Sequence, residues 1–320
     1  MTPRKSCLAS LTAILAAVLV VAGCSGNKPK PNQVFLMPAP DVYEEGDIDP
    51  FDGNERIVQG DIRGILYATD RAPATAEDKK LLYYSDRRAH ALRVGMANVS
   101  LGKDEDITWE EARRISLLKN RTENFPLEVA AIEEFGVLER TVTPLDDETP
   151  RSPEPGEMLS EEVNRQLERS DSKDVFIYVH GYKVNFENPV LVASELWHFM
   201  GYEGAFIAYS WPATFNFTAY FSDIEDATES SRNLRALIVH LSQTTNAERI
   251  HILGYSTGTR LVSRTVADLG MYAFGLTAEQ VSDNIKIGNV ILVGSDMDRG
   301  ILAGYLLDGA LGVCDSITIY

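Results

Sequence analysis

The pentapeptide GYSTG, residues 254–258, places Ser256 where a strand-like run gives way to a helical one. The run before it, RIHILGYS, is short and apolar, and the run after it, TGTRLVSRTVADL, has the apolar spacing of an amphipathic helix. A sharp turn from strand to helix exposes a serine hydroxyl, and flanking glycines let that turn pack closely. The context predicts that Ser256 is a nucleophile. The alternative is a serine that only caps the helix.

The same alternation of strands and helices extends over residues 173–320. Strands are predicted over 174–181, 204–213, 249–256 and 285–298, and helices over 188–200, 222–244 and 257–269. Right-handed crossovers of this length require a parallel sheet with helices on both faces. The sequence therefore predicts an α/β fold with a nucleophile-bearing core.

Residues 56–145 have a different pattern, with strand candidates at 63–73, 91–102 and 135–144. One helix is predicted from Thr108, because Glu111 follows at capping-box spacing. Residues 146–172 are acidic and rich in proline, which is typical of a surface insertion. The domain is expected to span 56–320.

The N-terminus has the composition of an export signal. A basic start is followed by an apolar run from Leu8 to Val21, which is shorter than the roughly 20 residues that span a bilayer. VAGC, residues 21–24, resembles the lipobox of bacterial lipoproteins, in which Cys24 becomes the lipidated N-terminus. Residues 1–23 are then the signal peptide. The alternative is an ordinary signal peptide with a chance cysteine.

Residues 24–55 are rich in Pro, Asp and Glu, which predicts a flexible tether between lipid and domain. Ser25 follows Cys24 in place of aspartate, which by resemblance to Gram-negative lipoproteins implies the outer membrane. The cell envelope is the expected location. With Cys7 removed and Cys24 lipidated, Cys314 remains alone, so no internal disulfide is expected.

The charge balance restricts the partners. The chain has 30 Lys and Arg against 47 Asp and Glu, a formal net charge of -17. Such a balance repels phosphate backbones and anionic lipid surfaces, so nucleic acid is not expected as a partner. A small-molecule ester or acyl substrate is expected instead.

A nucleophilic serine needs donors aimed at the oxyanion of its tetrahedral intermediate. YVHGYK, residues 178–183, ends an earlier strand in a glycine-bearing loop whose amides are candidates for that role. The segments VFIYVHGYKVNFE, IAYSWPA, ILGYSTGTRLV and VILVGSDMD, in this order, resemble a bacterial α/β-hydrolase family of unknown function within the esterase/lipase superfamily. YATDR and RVGMANVSLG are similar to the N-terminal strands of the same family. The resemblance covers about residues 60–320.

The resemblance implies an α/β-hydrolase fold and assigns roles around Ser256. The backbone amides of Tyr182 and Thr257 would form the oxyanion hole, and His180 would brace its turn. Asp296, in the GSDMD loop, would be the acid, with Asp298 as the neighbouring alternative. Either aspartate instead could cap the helix that follows.

No histidine follows Ser256, although the triad order in this fold is Ser, acid, His. His251 lies five residues back along a strand, about 16 Å from the turn. The other histidines are His90, in a basic stretch, His180, and His198 and His240, both in predicted helices at the surface or core edge. The chain, ending in the strand-like CDSITIY, is expected to lack the C-terminal elements that carry the base. Metal-ligand spacing is missing, so no metal or cofactor is predicted.

Aromatic residues lie at and just after the C-terminal end of the strand predicted over 204–213, at the sheet edge where ligands bind in α/β folds. Trp211, Phe215 and Phe217 are predicted to line an acyl pocket or lid, or else to pack a cap onto the core. Together these features predict a lipid-anchored, esterase- or lipase-like serine hydrolase that acts through an acyl-enzyme at Ser256. The alternatives are a non-catalytic envelope lipoprotein that uses the scaffold for binding, and an acyltransferase or peptidase.

Overall fold

Strands and helices alternate along the C-terminal half of the chain, as the apolar spacing predicts. A computed structural model describes residues 33–43, 49–52, 64–78, 81–102, 107–118, 120–139, 154–213 and 220–320. The strands are β1 Val34–Phe35, β2 Ile65–Pro73, β3 Tyr84–Leu101, β4 Pro126–Glu139, β5 Asp174–Val179, β6 Ala205–Ser210, β7 Arg249–Tyr255, β8 Ile287–Val293 and β9 Cys314–Ile319. The helices are α1 Trp109–Ser116, α2 Glu154–Glu168, α3 Glu187–Phe199, α4 Tyr220–Thr244, α5 Gly258–Tyr272, α6 Ala278–Asn284 and α7 Arg299–Leu307. Short 3₁₀ turns cover Asp41–Tyr43 and Ala310–Gly312.

The strands of the described chain form one sheet in the order β1-β4-β3-β2-β6-β5-β7-β8-β9. In this order β2, β6, β5, β7, β8 and β9 run parallel to their neighbours, and helices connect the strands from β5 to β9 along the chain. The N-terminal strands β1, β4, β3 and β2 add antiparallel pairs at one side. The predicted α/β architecture with a mostly parallel sheet is confirmed.

Apolar side chains fill both faces of the sheet. On one face α2, α4 and α5 cover strand residues such as Leu66, Ile177 and Ile252. On the other face α3 covers Tyr67 and Phe206. Successive residues of a strand point to opposite faces, so a strand that is buried at every position, such as β6, is covered on both faces.

The surface insertion predicted over 146–172 is wrong for residues 154–168, which form the core helix α2. Its side chains Leu159, Val163 and Leu167 repeat every four residues and are fully buried against the sheet. The acidic residues that suggested a surface segment, such as Glu157 and Glu161, lie on the outer side of the same helix. Apart from Glu162, which is buried and paired with Arg165, the acidic residues of α2 mark the outer side of the helix.

The flexible tether predicted over 24–55 is wrong for residues 33–43 and 49–52. Val34 pairs with Leu127 of β4, and Leu36 and Phe51 are buried. Arg121 donates to the Leu36 carbonyl over 2.6 Å. The apolar residues of this segment pack onto the domain, whose compact unit begins at Val34.

The predicted signal peptide 1–23 and the lipidation site Cys24 lie outside the described residues. The described helices include none that has the length and apolar character needed to cross a bilayer.

Candidate active site

Ser256 lies in a strained turn between β7 and α5. Its φ is +50°, in the left-handed region that costs free energy for a residue with a side chain. Hydrogen bonds hold the turn: Ser256 N donates to Val293 O over 2.8 Å, and Thr259 N and Oγ1 donate to Ser256 O over 3.0 and 2.6 Å. Thr257, not Ser256, occupies the N-cap position of α5. The alternative in which Ser256 caps this helix is therefore wrong.

Close contacts between backbones bring the loop after β5 against this turn. A Cβ atom added to Gly258 would lie 2.3 Å from the His180 carbonyl oxygen, and one added to Gly181 would lie 3.0 Å from Ser256 Cβ. Only glycine fits at position 258, and a side chain at position 181 would require its neighbours to shift. The loop with the predicted oxyanion donor is thus in contact with the serine. Tyr182 and Thr257 each lie one residue from that contact.

His180 braces the loop. Its ring is buried and stacks on Trp211, with 5.2 Å between centroids and an interplanar angle of 7°. The ring nitrogens face carbonyl oxygens, Nδ1 that of Gly181 at 2.5 Å and Nε2 that of Trp211 at 3.1 Å. Burial, and then the nearby Arg71, lower the pKa of His180 well below its usual value, so the ring is neutral.

The pocket predicted around Trp211 needs correction. Trp211 is fully buried, and its Nε1 donates to the His180 carbonyl over 2.7 Å. It therefore packs the core behind the loop and does not line an open pocket. Phe215 and Phe217 lie outside the described residues.

Two aspartates follow β8, and the structure separates their roles. Asp298 is the N-cap of α7 and accepts from Gly300 N and Ile301 N over 2.7 and 3.3 Å. Asp296 turns instead toward α5, where it accepts from the Thr257 hydroxyl over 3.1 Å. Asp296 is thus bonded to the residue next to Ser256, while Asp298 stabilises a helix end.

Arg260 is a component of the site that sequence reasoning missed. Its Nε donates to Asp296 Oδ1 over 2.9 Å, and its Nη2 donates to the Asp296 carbonyl over 2.7 Å. The Asp296 side chain is 26% exposed, so this ion pair is partly screened by solvent. The sequence feature that could have indicated this role is the position of Arg260 one helical turn after Ser256.

None of the five histidines, all within the described residues, is hydrogen-bonded to the Ser256 hydroxyl. His198 contacts Tyr202 and Ser116, and burial lowers its pKa to about 4. The remaining contacts are those of His240 with Ser160 and Gly156, of His251 with Asn289 and Asp174, and of His90 with Glu229. The described site therefore contains a serine and an acid without an imidazole between them.

A cavity of about 480 Å³ adjoins the turn. Its lining residues are mainly apolar or aromatic: Tyr178, His180, Gly181, Tyr182, Val184, Asn188, Val192, Leu196, Leu253, Tyr255 and Val293. Burial, and then the nearby Tyr255, raise the pKa of Tyr178, so its phenol is neutral. The cavity is suited to an uncharged, apolar group. A larger cavity of about 750 Å³ between α4 and α5 has charged walls and includes none of the predicted site residues.

The described part of the chain contains no group of three or more His, Cys, Asp or Glu side chains that could hold a metal ion.

Comparison with known families supports this description of the fold. Residues 157–308 match the model of a family described as "Alpha/beta hydrolase of unknown function (DUF900)". The matched stretch is just under half of the chain and runs from α2 into α7, including the turn at Ser256 and the Asp296 loop. The chain has the α/β-hydrolase fold, and the predicted resemblance to an α/β-hydrolase family of unknown function is confirmed. A search of curated proteins gave no match.

Proposed function

We propose that this protein is a serine hydrolase that cleaves carboxylic esters through an acyl-enzyme at Ser256. The observation that carries the proposal is the strained φ of +50° at Ser256, at a turn clamped by Gly181 and Gly258. Strain of this kind persists only where the surroundings hold it, and it is concentrated at functional sites.

In the proposed reaction, Ser256 Oγ attacks the ester carbonyl carbon and its proton passes to a base. The amides of Tyr182 and Thr257 stabilise the resulting oxyanion. The carbon–oxygen bond to the alcohol then breaks, the alcohol takes the proton, and the acyl group remains on Ser256 until water releases it. Asp296 would orient and stabilise an imidazole that serves as the base.

The base determines how fast this chain reacts. Because none of the five histidines is hydrogen-bonded to the Ser256 hydroxyl, we expect the 320-residue chain to acylate slowly, with about 1,000- to 10,000-fold acceleration over water from the oxyanion hole and binding alone. Imidazole added in solution should accelerate acylation by taking the proton.

The cavity beside the turn would hold the acyl group. Its walls are neutral and mostly apolar, and the chain carries a net charge of -17. Both features favour an uncharged ester over an anionic one. This cavity takes the role that Trp211 was expected to have.

Anchoring is the second part of the proposal. The VAGC sequence at residues 21–24 supports lipidation of Cys24 after export. The protein would then be a lipoprotein of the cell envelope, in the outer membrane of a Gram-negative bacterium, with no nucleic-acid partner.

One rival function has an observation in its favour. A site without an imidazole at Ser256 would suit a non-catalytic lipoprotein that retains the scaffold for binding. The two functions differ in whether Ser256 becomes acylated.

Hydrolysis of p-nitrophenyl acetate, with and without imidazole, tests the proposal. The wild-type chain should release p-nitrophenol in a burst that imidazole accelerates, and Ser256→Ala should lose the burst. Ser316→Ala, on β9, is the matched control and should keep it. A burst of equal size in Ser256→Ala, or no burst from wild type even with imidazole, would contradict the proposal.

A further inference from the structure

Arg71 is a fully buried arginine near the C-terminal end of β2. Its guanidinium donates in three directions. Nε donates to Ser210 Oγ at the end of β6 over 3.0 Å, and Nη1 donates to the Ser85 carbonyl of β3 over 3.3 Å. Nη2 donates to the Val184 carbonyl, in the loop after β5, over 2.9 Å. One side chain thus ties two neighbouring strands to that loop.

The backbone of β2 is shaped to present this side chain. The pairing of β2 with β3 shifts register between Thr69 and Arg71 and again between Arg71 and Pro73. Such irregularities change the direction of a side chain at a strand end. Thr69 also fixes the neighbouring strand, because its hydroxyl donates to the Ser210 carbonyl over 2.6 Å. Burying a guanidinium costs free energy, so a buried arginine at this position is expected to have a specific role.

The loop that Arg71 holds is the one that touches Ser256. At its start His180 stacks on Trp211, and at its end Phe186 packs between Tyr67 and Tyr84, with ring centroids 5.0 and 4.6 Å away. Between these two anchors Lys183 has a φ of +65°, an unfavourable conformation for a residue with a side chain. The Val184 carbonyl follows it directly. Arg71 therefore restrains the loop where its backbone is strained.

We infer that Arg71 is a positioning residue that holds the Tyr182 amide at the oxyanion of Ser256. The inference rests on the proposed function, because it assigns the Tyr182 amide a role only if Ser256 is acylated. Val184 lies two residues after Tyr182, so release of its carbonyl would let the loop relax away from the serine. Misplacing a catalytic group by about 1 Å can cost about 100-fold in rate.

The test compares acylation rate constants in the full chain. Imidazole is present throughout, and p-nitrophenyl acetate, in excess over the protein, is the probe for the pre-steady-state burst. We expect Arg71→Met to lower the rate constant about 100-fold at an unchanged half-saturating ester concentration, because the oxyanion contact forms only in the transition state. Arg71→Lys should lie in between, since an ammonium cannot donate along all three directions of the guanidinium.

A matched control separates positioning from folding. Asp70 is also buried on β2 and accepts from Asn233 over 2.9 Å, so Asp70→Asn perturbs the same strand without a direct bond to the loop. It should lower the melting temperature and the burst amplitude while leaving the rate constant within about 3-fold of wild type. If Arg71→Met likewise lowered the melting temperature and the burst amplitude but left the rate constant within about 3-fold of wild type, the role of Arg71 would be purely structural. That result would overturn the inference.

A second variant tests the inference if Arg71→Met is unstable. If Arg71→Met does not fold, Ser210→Ala takes its place, because it removes one Arg71 acceptor and keeps the guanidinium. A lower rate constant in Ser210→Ala supports the inference and an unchanged one overturns it. Failure of the proposed function looks different, since wild type itself would then give no burst dependent on Ser256.

Discussion

The Thr257 hydroxyl donates to Asp296 Oδ2 over 3.1 Å, so the residue after Ser256 is bonded to the aspartate that follows β8. The contact joins the start of α5 to the end of the neighbouring strand. It gives Asp296, and not Asp298, a position beside Ser256, the proposed nucleophile.

Asp296→Asn should therefore reduce imidazole-dependent turnover far more than Asp298→Asn does. Where Asp296 holds the added imidazole, asparagine favours the wrong tautomer and removes the charge that stabilises the imidazolium, at a cost of up to about 10,000-fold. Asparagine caps helices as well as aspartate does, so Asp298→Asn should have little effect. Steady-state ester hydrolysis by the two variants measures this. A larger loss in Asp298→Asn would exchange the two roles.

Gly258→Ala should destabilise the fold and stop acylation. The added Cβ would lie 2.3 Å from the His180 carbonyl oxygen, and overpacking of this kind costs about 1–3 kcal/mol. Urea unfolding measures the stability. Gly304→Ala is the control, because its Cβ would meet nothing within 4 Å and alanine favours the helix interior. Equal stability of the two variants would argue against the tight contact.

Filling the cavity beside the turn should shorten the preferred acyl chain. Leu196→Phe adds volume to a cavity wall and should lower kcat/KM for a p-nitrophenyl octanoate about 10-fold more than for the acetate. Met200→Phe, just past the end of α3 and 37% exposed, is the matched control. The comparison needs imidazole at a fixed concentration. If chain-length preference is the same in both variants, the acyl group binds elsewhere.

Glu195 should make stability decrease with rising pH. Burial raises the pKa of this carboxyl to about 7, against which the hydrogen bond from Met37 N and the charge of Arg121 act. The folded state therefore binds a proton more tightly than the unfolded state, and stability is lost as pH rises from about 4.5 to about 7. Glu195→Gln should remove this loss and stabilise the protein at pH 8 by about 3 kcal/mol, with little change at pH 4.

Urea unfolding at the two pH values measures that difference. Gln keeps an oxygen acceptor for Met37 N, so the packing of residues 33–43 should survive the substitution. A variant that is equally stabilised at pH 4 and pH 8 would show that the charge of Glu195 is not the cause.

Cys24→Ser should prevent lipidation. Metabolic labelling with a palmitate analogue should mark the wild-type protein and not the variant, which should accumulate as a precursor or a soluble form. Cys7→Ser is the control and should be labelled like wild type, because the signal peptide is removed with that residue. Equal label in Cys24→Ser would remove the basis for the lipoprotein assignment.

Local patterns in the sequence predicted what depends on local structure. The strands β5 to β8, the helix α5 and the turn at Ser256 follow from apolar periodicity and glycine placement, and Thr108 caps α1 as its spacing indicates. Helix α2 was not predicted from the sequence, because its buried residues Leu159, Val163 and Leu167 are dispersed among acidic residues that face solvent. The packing of Leu36 depends on distant partners, which a single segment does not encode.

The contacts that define the site are the least local of all. Arg260 bonds Asp296 across 36 residues, and Arg71 bonds the Val184 carbonyl across 113 residues. No periodicity marks such pairs. The Trp211 ring also depends on distant contacts. Its place at a strand end suggested a pocket, but in the fold the ring is buried in the core.

The most direct measurement is the reaction of the purified chain with a fluorophosphonate probe, with the modified residue located by peptide mass spectrometry. The account predicts phosphonylation at Ser256, slow without imidazole and at least about 10-fold faster with it. Ser256→Ala should remain unmodified, while Ser316→Ala should react like wild type. Modification at another serine, or none at Ser256 even with imidazole, would contradict the assignment of Ser256 as the nucleophile.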